Sequence, residues 1–289
     1  MISIRQSAGY LIVAAIAAGT LSDRPQTRNP VNLGGYRVLA ADFHVHTFPL
    51  SASTLAPWDL IFEARRQGLD AMAITGHNQT LAGRVGEWFA RHTDGPIVLV
   101  GEEIHAPQYH MIAVGIRNTI SWRLGAASAI DEVHRQGGVA IAAHPVEQFW
   151  PAFDADALRK LDATEVLQPA AYSSETARLQ LEEFYNRRRF TAIGSSDYHG
   201  PGPLGLCRTY VFAREASAEG IVDALRDGRT VVFNGNRAYG DPALIPVARE
   251  NRRLIEPAAE TSGRAFGAVL SRVCGVLGLL LLICSGFPD

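Results

Sequence analysis

Residues 42–53 read DFHVHTFPLSAS, with His44 and His46 two apart, and they follow the apolar run YRVLA at 36–40. Residues two apart in a strand point to one face, so both imidazoles aim at a single spot. Two occupants fit that spot: a metal ion, or hydrogen-bond partners that satisfy a pair of half-buried histidines. The segment alone leaves both open, and the rest of the chain has to choose.

Downstream, strand-like and helix-like segments alternate. Strands are expected at 40–45, 71–75, 97–103, 109–114, 139–142, 163–167, 191–194, 209–212 and 230–233. Helices are expected at 57–67, 82–92, 127–136, 175–188 and 218–226. Pro57 stands at a first helical position and Gly68 just past a last one, as helix ends prefer. This alternation predicts a mostly parallel sheet covered by helices. About seven strand–helix units in this length favour a closed barrel over an open sheet.

The polar residues that do not fit a core fall at the strand ends. They are His44 and His46, His77 in ITGHN, Glu102 and Glu103 in VGEEI, His110 in YHMIAV, His144 in AIAAHP, and Asp197 and His199 in GSSDYH. In a barrel the C-terminal strand ends carry the chemistry. Six of the nine histidines sit at such ends beside acidic companions. Imidazole and carboxylate together suit Zn²⁺, Mn²⁺ or Fe²⁺. Without a metal, so many converging ionisable groups would carry a heavy desolvation cost. His92 and His134, on charged helices, read as ordinary surface histidines, and His105 as a neighbour of the site at best.

Composition bounds the remaining possibilities. A net charge of −2 over 289 residues gives no global attraction to polyanions, so no stable nucleic-acid partner is expected. The three cysteines form no CxxC pair, which supports neither a thiolate zinc site nor a disulfide framework. Residues 1–35, with Arg5 ahead of the apolar run 8–19, read as a signal-like or membrane-anchor segment and linker. Residues 36–235 form the main domain, and 236–264 read as a linker of low hydrophobicity. The apolar tail 265–289 is long enough to span a membrane if Arg272 reaches an interface. Arg5 favours an exported domain, whereas Arg249, Arg252, Arg253, Arg264 and Arg272 favour a cytoplasmic one. The expectation is a membrane-associated protein, with the exported or periplasmic side ahead.

Over 40–233 the motifs DFHVHT, GLDAMAITGHN, VGEEI, YHMIAVGI, RQGGVAIAAHP, ATEVLQ, GSSDYHG and ALRDGRTVVF resemble, in order, those of the PHP (polymerase and histidinol phosphatase) metallohydrolases. The resemblance implies an α/β fold, a distorted (β/α)7 TIM-like barrel with a two- or three-metal site at the strand C-termini. By motif, His44, His46, Glu103 and Asp197 would hold one metal. Glu103 would bridge to a second, held also by His110 and His144, while His77 and His199 would belong to a third. Glu103 is chosen over Glu102 because strand alternation turns Glu102 to the opposite face. Two departures weaken the third position. Ser51 and Ala52 stand where the family usually has an acid or histidine, and Gly76 stands where it usually has Asp. Two divalent ions are therefore expected, with a third short of a ligand.

Two bridged metals can lower the pKa of a bound water and hold a developing oxyanion. Asp197 or His199 could move the proton. The resemblance implies hydrolysis of phosphate mono- or diesters, with nucleotides and oligonucleotide 5′ ends as substrates in some branches. Another branch hydrolyses aryl carbamates. Three functions thus stand in order: a phosphoesterase acting on a small phosphorylated substrate such as a nucleotide, an ester or carbamate hydrolase on the same site, and a membrane-tethered metal-binding module without turnover. Arg208, in GLCRTYV, is a candidate phosphate contact or else a surface ion pair.

Overall fold

The computed structural model describes residues 3–26, 29–188, 190–200, 202–256 and 266–286. Its strands are β1 (Val31–Leu33), β2 (Tyr36–Val45), β3 (Ala71–Ile74), β4 (Ile97–Ala106), β5 (Tyr109–Val114), β6 (Val139–Ala142), β7 (Ala163–Leu167), β8 (Thr191–Gly194), β9 (Thr209–Ala213), β10 (Thr230–Asn234) and β11 (Arg237–Gly240). They hydrogen-bond in the order β11-β10-β9-β2-β3-β4-β5-β6-β7-β8, with β1 on β2. This is a nearly closed α/β barrel, as expected, but its sheet is mixed rather than mostly parallel. β2–β3–β4 and β6–β7–β8 pair in parallel. β5 is antiparallel to both neighbours, and β9 runs antiparallel to β2. The reason is local: β4 turns straight back into β5 through Pro107 and Gln108, with no crossover helix to restore a parallel direction.

The barrel closes where the extension of β8 meets β2. The His46 N–H donates to the Tyr198 carbonyl, and the Tyr198 N–H to the His44 carbonyl, both at 3.1 Å. Lower down, Thr209 Oγ1 accepts from the Gly194 N–H and donates to the Gly194 carbonyl, at 2.9 Å each.

The interior is layered. Leu39, Ala41, Phe43, Ala71, Ala73, Leu99, Ile112, Val114, Val139, Ile141, Ala163, Ile193 and Val211 fill its lower part. Helix Ala218–Arg226 stops the bottom with Ile221, Ala224 and Leu225, its start capped by Ser217 on the Gly220 N–H. Alternation then places Glu103, Glu165 and the residues after β8 on the same inward face near the top. β2 reaches that face by a change of phase. It has an extra residue opposite β3 between Asp42 and Val45, so Leu39, Ala41 and Phe43 are followed inward by His44 and His46. Helices Pro57–Arg66 and Leu81–Arg91 cover the outer face at Met72, Ile74 and Val98. Pro57 opens the first of these, and Gly68, at φ +62°, lets the chain turn out of it.

The expected linker is folded over its first part. β11 pairs with β10, and helix Leu244–Glu250 lays Leu244 and Ala248 against Val38, Ala40, Tyr210 and Phe212. Alternate apolar residues on the outer face of β2 and β9 need a cover, and this segment supplies it. Residues 257–264, with Arg264, lie outside the described residues.

Helices Ile4–Ser22 and Phe266–Cys284 are each long and apolar enough, by length and composition, to cross a membrane. They pack against each other in antiparallel fashion. Gly267 approaches Ala18 and Ser22, Gly278 approaches Ala8 and Ile12, and Arg5 donates to the Gly286 carbonyl at 2.8 Å. Small residues at the seam let the two backbones come close. The pair docks on helix Pro57–Arg66. Ser271 Oγ donates to Asp59 Oδ1 at 2.6 Å, Arg272 meets Glu63, Gly19 faces Phe62, and Gly275 faces Trp58.

Candidate metal centre

Glu103 stands at the middle of the inward polar layer, 1 % exposed. Its Oε2 lies 3.2 Å from His44 Nε2, 3.4 Å from His46 Nε2 and 3.1 Å from His77 Nε2. Its Oε1 lies 3.1 Å from His110 Nδ1 and 3.3 Å from His144 Nε2. Asp197 Oδ1 closes the first group at 3.3 Å from His44 Nε2 and 3.2 Å from His46 Nε2. His199 stacks on the His46 ring at 4.1 Å, with its Nδ1 2.9 Å from the Asp197 carbonyl oxygen.

Two of these residues sit in left-handed backbone, His144 at φ +27° and Asp197 at φ +45°. Such conformations are disfavoured for residues with a Cβ and persist where the surroundings impose them, often at functional sites.

Each histidine of the inner group has one ring nitrogen engaged, which leaves the other facing inward. His44 Nδ1 is 3.0 Å from Glu165 Oε1, and His46 Nδ1 is 3.1 Å from Ser51 Oγ. A carboxylate accepts only, so Glu165 keeps the His44 proton on Nδ1 and turns the Nε2 lone pair toward Glu103. Among the described residues, His44 Nε2, His46 Nε2, Glu103 Oε1 and Asp197 Oδ1 are buried without a hydrogen-bond partner. Imidazole and carboxylate atoms that converge in the interior without hydrogen-bond partners match what a cation requires. The donor set, imidazole and carboxylate without thiolate, fits a divalent transition metal. Among the described residues, candidate ligand atoms lie within 4.8 Å of one another in four groups: His44–His46–Asp197, His44–Glu103–His144, His46–His77–His199 and His77–Glu103–His105.

The electrostatics carry the same signature. Burial would lower His44, but Asp197, Glu103 and Glu165 raise it well above the usual histidine range. Burial would raise Glu103, yet the charge of His44 and the His110 and His144 rings beside it hold it well below the carboxylate range. Asp197 is lowered for the same reason, with His44 the chief opposing charge. Burial depresses His46 to about 4, against the pull of Asp197. The pocket thus keeps its carboxylates ionised and ready to ligate.

The sequence-expected residues His44, His46, His77, Glu103, His110, His144, Asp197 and His199 all come together here. Glu102 faces away, as alternation predicts, and accepts from the Ile120 N–H at 2.6 Å. Arg208 does not join the cluster: its Nε donates to the Gly205 carbonyl at 2.7 Å and its Nη1 to that of Gln67 at 3.3 Å. The loop between β8 and β9 needs a donor at that point, and the guanidinium supplies it. His105 lies nearer than expected, its ring 3.9 Å from that of His110 and 4.7 Å from that of His77.

Three groups escaped the sequence reading. Glu165 accepts from Ser195 Oγ and the His144 N–H as well as facing His44. A lone acid inside the apolar strand ATEVL was the available signal, because a buried carboxylate demands partners. Asp42 accepts from the Ser196 N–H at 3.0 Å and the Gly205 N–H at 2.9 Å, which ties β2 to the segment carrying Asp197. Ser51 bonds both His46 and the His77 N–H, at 3.1 Å each. At Gly76 a Cβ would fall 2.0 Å from Gln79 Nε2, so the space beside His77 is filled by Gln79.

Comparison with known proteins agrees with this geometry. Residues 175–230 match the family model PHP_C, described as PHP-associated. The uncharacterized protein MJ1587 of Methanocaldococcus jannaschii is 30 % identical over 145 residues, covering 44 % of this chain and 81 % of that protein. A two-domain protein from Bacteroides vulgatus, described as containing a predicted PHP-like metal-dependent phosphoesterase, superposes with a TM-score of 0.61 at 22 % identity, over 78 % of this chain and 74 % of that one. PsfC from Pseudomonas syringae superposes at 0.50 and 15 % identity, over 75 % of this chain and 98 % of that one. These two likenesses bear on the fold. The PHP-associated match and the 30 % identical relative, with the ordered motifs and the cluster they build, place the chain: it belongs to the PHP-domain family.

Proposed function

We propose that this protein is a metal-dependent phosphoesterase that hydrolyses phosphate mono- or diesters. The observation that carries the reading is the division of Glu103, with Oε2 toward His44 and His46 and Oε1 toward His110 and His144. One carboxylate shared between two sets of imidazoles suits two divalent ions, held by His44, His46, Glu103 and Asp197 on one side and by Glu103, His110 and His144 on the other. When bound, such ions activate water and neutralise phosphate oxygens.

The chain's own groups supply the rest. Glu165 and Ser51 fix the ring orientations. Asp197, turned toward His44 and His46, orients the attacking side. His199, at the mouth with its side chain 34 % exposed, is placed to exchange a proton with the leaving group and with solvent. The third position has His77 and His199 but a hydroxyl, Ser51, in place of an acid, so it holds a cation more weakly. The terminal helix pair attaches the protein to a membrane.

The test is a substrate panel on metal-loaded protein: p-nitrophenyl phosphate, bis-p-nitrophenyl phosphate, a 3′,5′-bisphosphorylated nucleotide and a naphthyl carbamate, each with Mn²⁺ or Zn²⁺. Turnover of a phosphate ester, lost in His44→Ala together with bound metal, is the expected result. Carbamate turnover with every phosphate ester intact would overturn it.

A further inference from the structure

The terminal helix pair has a direction relative to the metal centre. Helix Pro57–Arg66 follows the C-terminal end of β2, so Pro57 lies on the catalytic side of the barrel and Arg66 on the opposite side. Asp23 pairs with Arg65 at 3.1 Å, Gly19 meets Phe62, Arg272 meets Glu63 and Gly275 meets Trp58. Descending the first terminal helix, or ascending the second, therefore leads toward the catalytic side. Beyond Gly275 the helix continues to Cys284, about 14 Å further at 1.5 Å per residue. Leu279 still packs against the cluster over that helix, so the part of the pair that runs on beyond the barrel on the side of its mouth is the last turn, Leu280–Cys284, about 7 Å long.

A second observation concerns the loops around that mouth. Leu50 follows β2, Leu81 opens the helix after β3, Tyr172 follows β7, and Leu206 lies between β8 and β9. Trp122 and Leu124 come to the same side through Tyr109, at the top of β5, whose hydroxyl donates to the Leu124 carbonyl at 2.9 Å. All six are 37–55 % exposed. Apolar side chains are left in water around a polar centre, on the side where an apolar helix pair projects. A water-soluble substrate gives no reason for this rim, whereas a bilayer surface covers it.

We propose that the catalytic mouth faces the membrane and that the substrate is a phosphate ester carried on a lipid headgroup. The substrate part rests on the phosphoesterase reading; the orientation does not. The end of the helix pair enters the bilayer, the six rim residues settle at its interface, and the headgroup phosphate reaches the centre without the lipid leaving the membrane.

The experiment uses the full chain with Cys274→Ala and Cys284→Ala; Cys207, 1 % exposed, is left in place. An environment-sensitive fluorophore is attached at Leu50→Cys or, on the far side of the barrel, at Ala216→Cys. Each protein is reconstituted with phosphatidylcholine vesicles containing phosphatidic acid. The expected result is a blue shift at position 50 and none at 216. With it, phosphate release from phosphatidic acid should exceed that from p-nitrophenyl phosphate at least tenfold at equal bulk concentration. No shift at 50, or a shift at 216 alone, overturns the orientation. Intact phosphatidic acid beside hydrolysed p-nitrophenyl phosphate overturns the lipid substrate. If neither ester is cleaved, the phosphoesterase reading falls and the lipid substrate with it, while the fluorophore pair still decides the orientation.

Discussion

Glu165 Oε1 lies 3.0 Å from His44 Nδ1, and neither residue has any exposed surface. The carboxylate reaches the proposed metal only through this ring and the His144 backbone, so its effect is on orientation and basicity. Glu165→Gln should lower metal affinity about 10–100-fold with the fold retained, the range typical of partners behind a histidine ligand. Isothermal titration with Mn²⁺ reads the change, and an unaltered affinity would refute the role.

The unpartnered imidazole and carboxylate atoms at the centre predict a linkage between metal and stability. A metal that binds only the folded protein adds about 4 kcal/mol when present at 1,000 times its dissociation constant. Chelation should therefore lower Tm by several degrees, and added Mn²⁺ or Zn²⁺ should restore it. Glu103→Ala should show no response to either, because the bridging group is gone.

Ser51 holds His46 and the His77 backbone where an acid would complete a third cation site. Ser51→Asp should raise the metal content of the purified protein from the proposed two equivalents toward three, measured by inductively coupled plasma mass spectrometry. A content that stays at two would show that the ring geometry, not the missing acid, governs the third position.

Asp59 predicts a pH dependence away from the metal centre. Burial pushes its carboxyl up to about 6, against the bond from Ser271 and the charge of Arg272. The folded protein therefore keeps a proton that the unfolded chain releases near pH 4. The folded state binds more protons between those values, so this group makes stability fall as pH rises from about 4 to about 6. Asp59→Asn cannot ionise and lacks that slope. Its Tm relative to wild type should improve from pH 4 to pH 7, by the equivalent of at most about 3 kcal/mol. Parallel Tm curves for the two proteins would contradict this.

Glu63 receives both Arg66 and Arg272 and is 2 % exposed. Glu63→Ala removes the carboxylate that the buried Arg66 and the half-buried Arg272 share, at a cost of up to about 3 kcal/mol. Limited proteolysis should then release the terminal helix pair while the barrel stays intact. Arg272→Met, which removes one charge and keeps the volume, should be milder.

The cluster at the barrel mouth was legible because chemistry-bearing residues at strand ends stand out against apolar strands. His44 and His46 could be paired from strand periodicity, and Glu103 separated from Glu102 by the same rule. The antiparallel β5 was passed over although the gap between residues 103 and 109 is too short for a parallel crossover, because the strand–helix alternation elsewhere pointed to parallel pairing. Glu165 and Asp42 were passed over because carboxylates that orient other groups have no spacing of their own. Arg208 looked like an anion contact because a guanidinium's partner is set by the loop opposite it, which the sequence does not place. The cover formed by Leu244–Glu250 was read as linker since its apolar residues are few and its burial comes from a distant sheet face.

The paired hydrogen bonds between His44, His46 and Tyr198 join the first barrel strand to the segment after the eighth. During synthesis His44 and His46 leave the ribosome early, whereas Asp197 leaves more than a hundred residues later. The first cation site is therefore unfinished for most of translation and becomes complete only when the ring is drawn shut. A nascent chain has no complete first site to offer a metal until Asp197 has emerged and met the strand made at the start, so any ion held there is held across the barrel's closing seam.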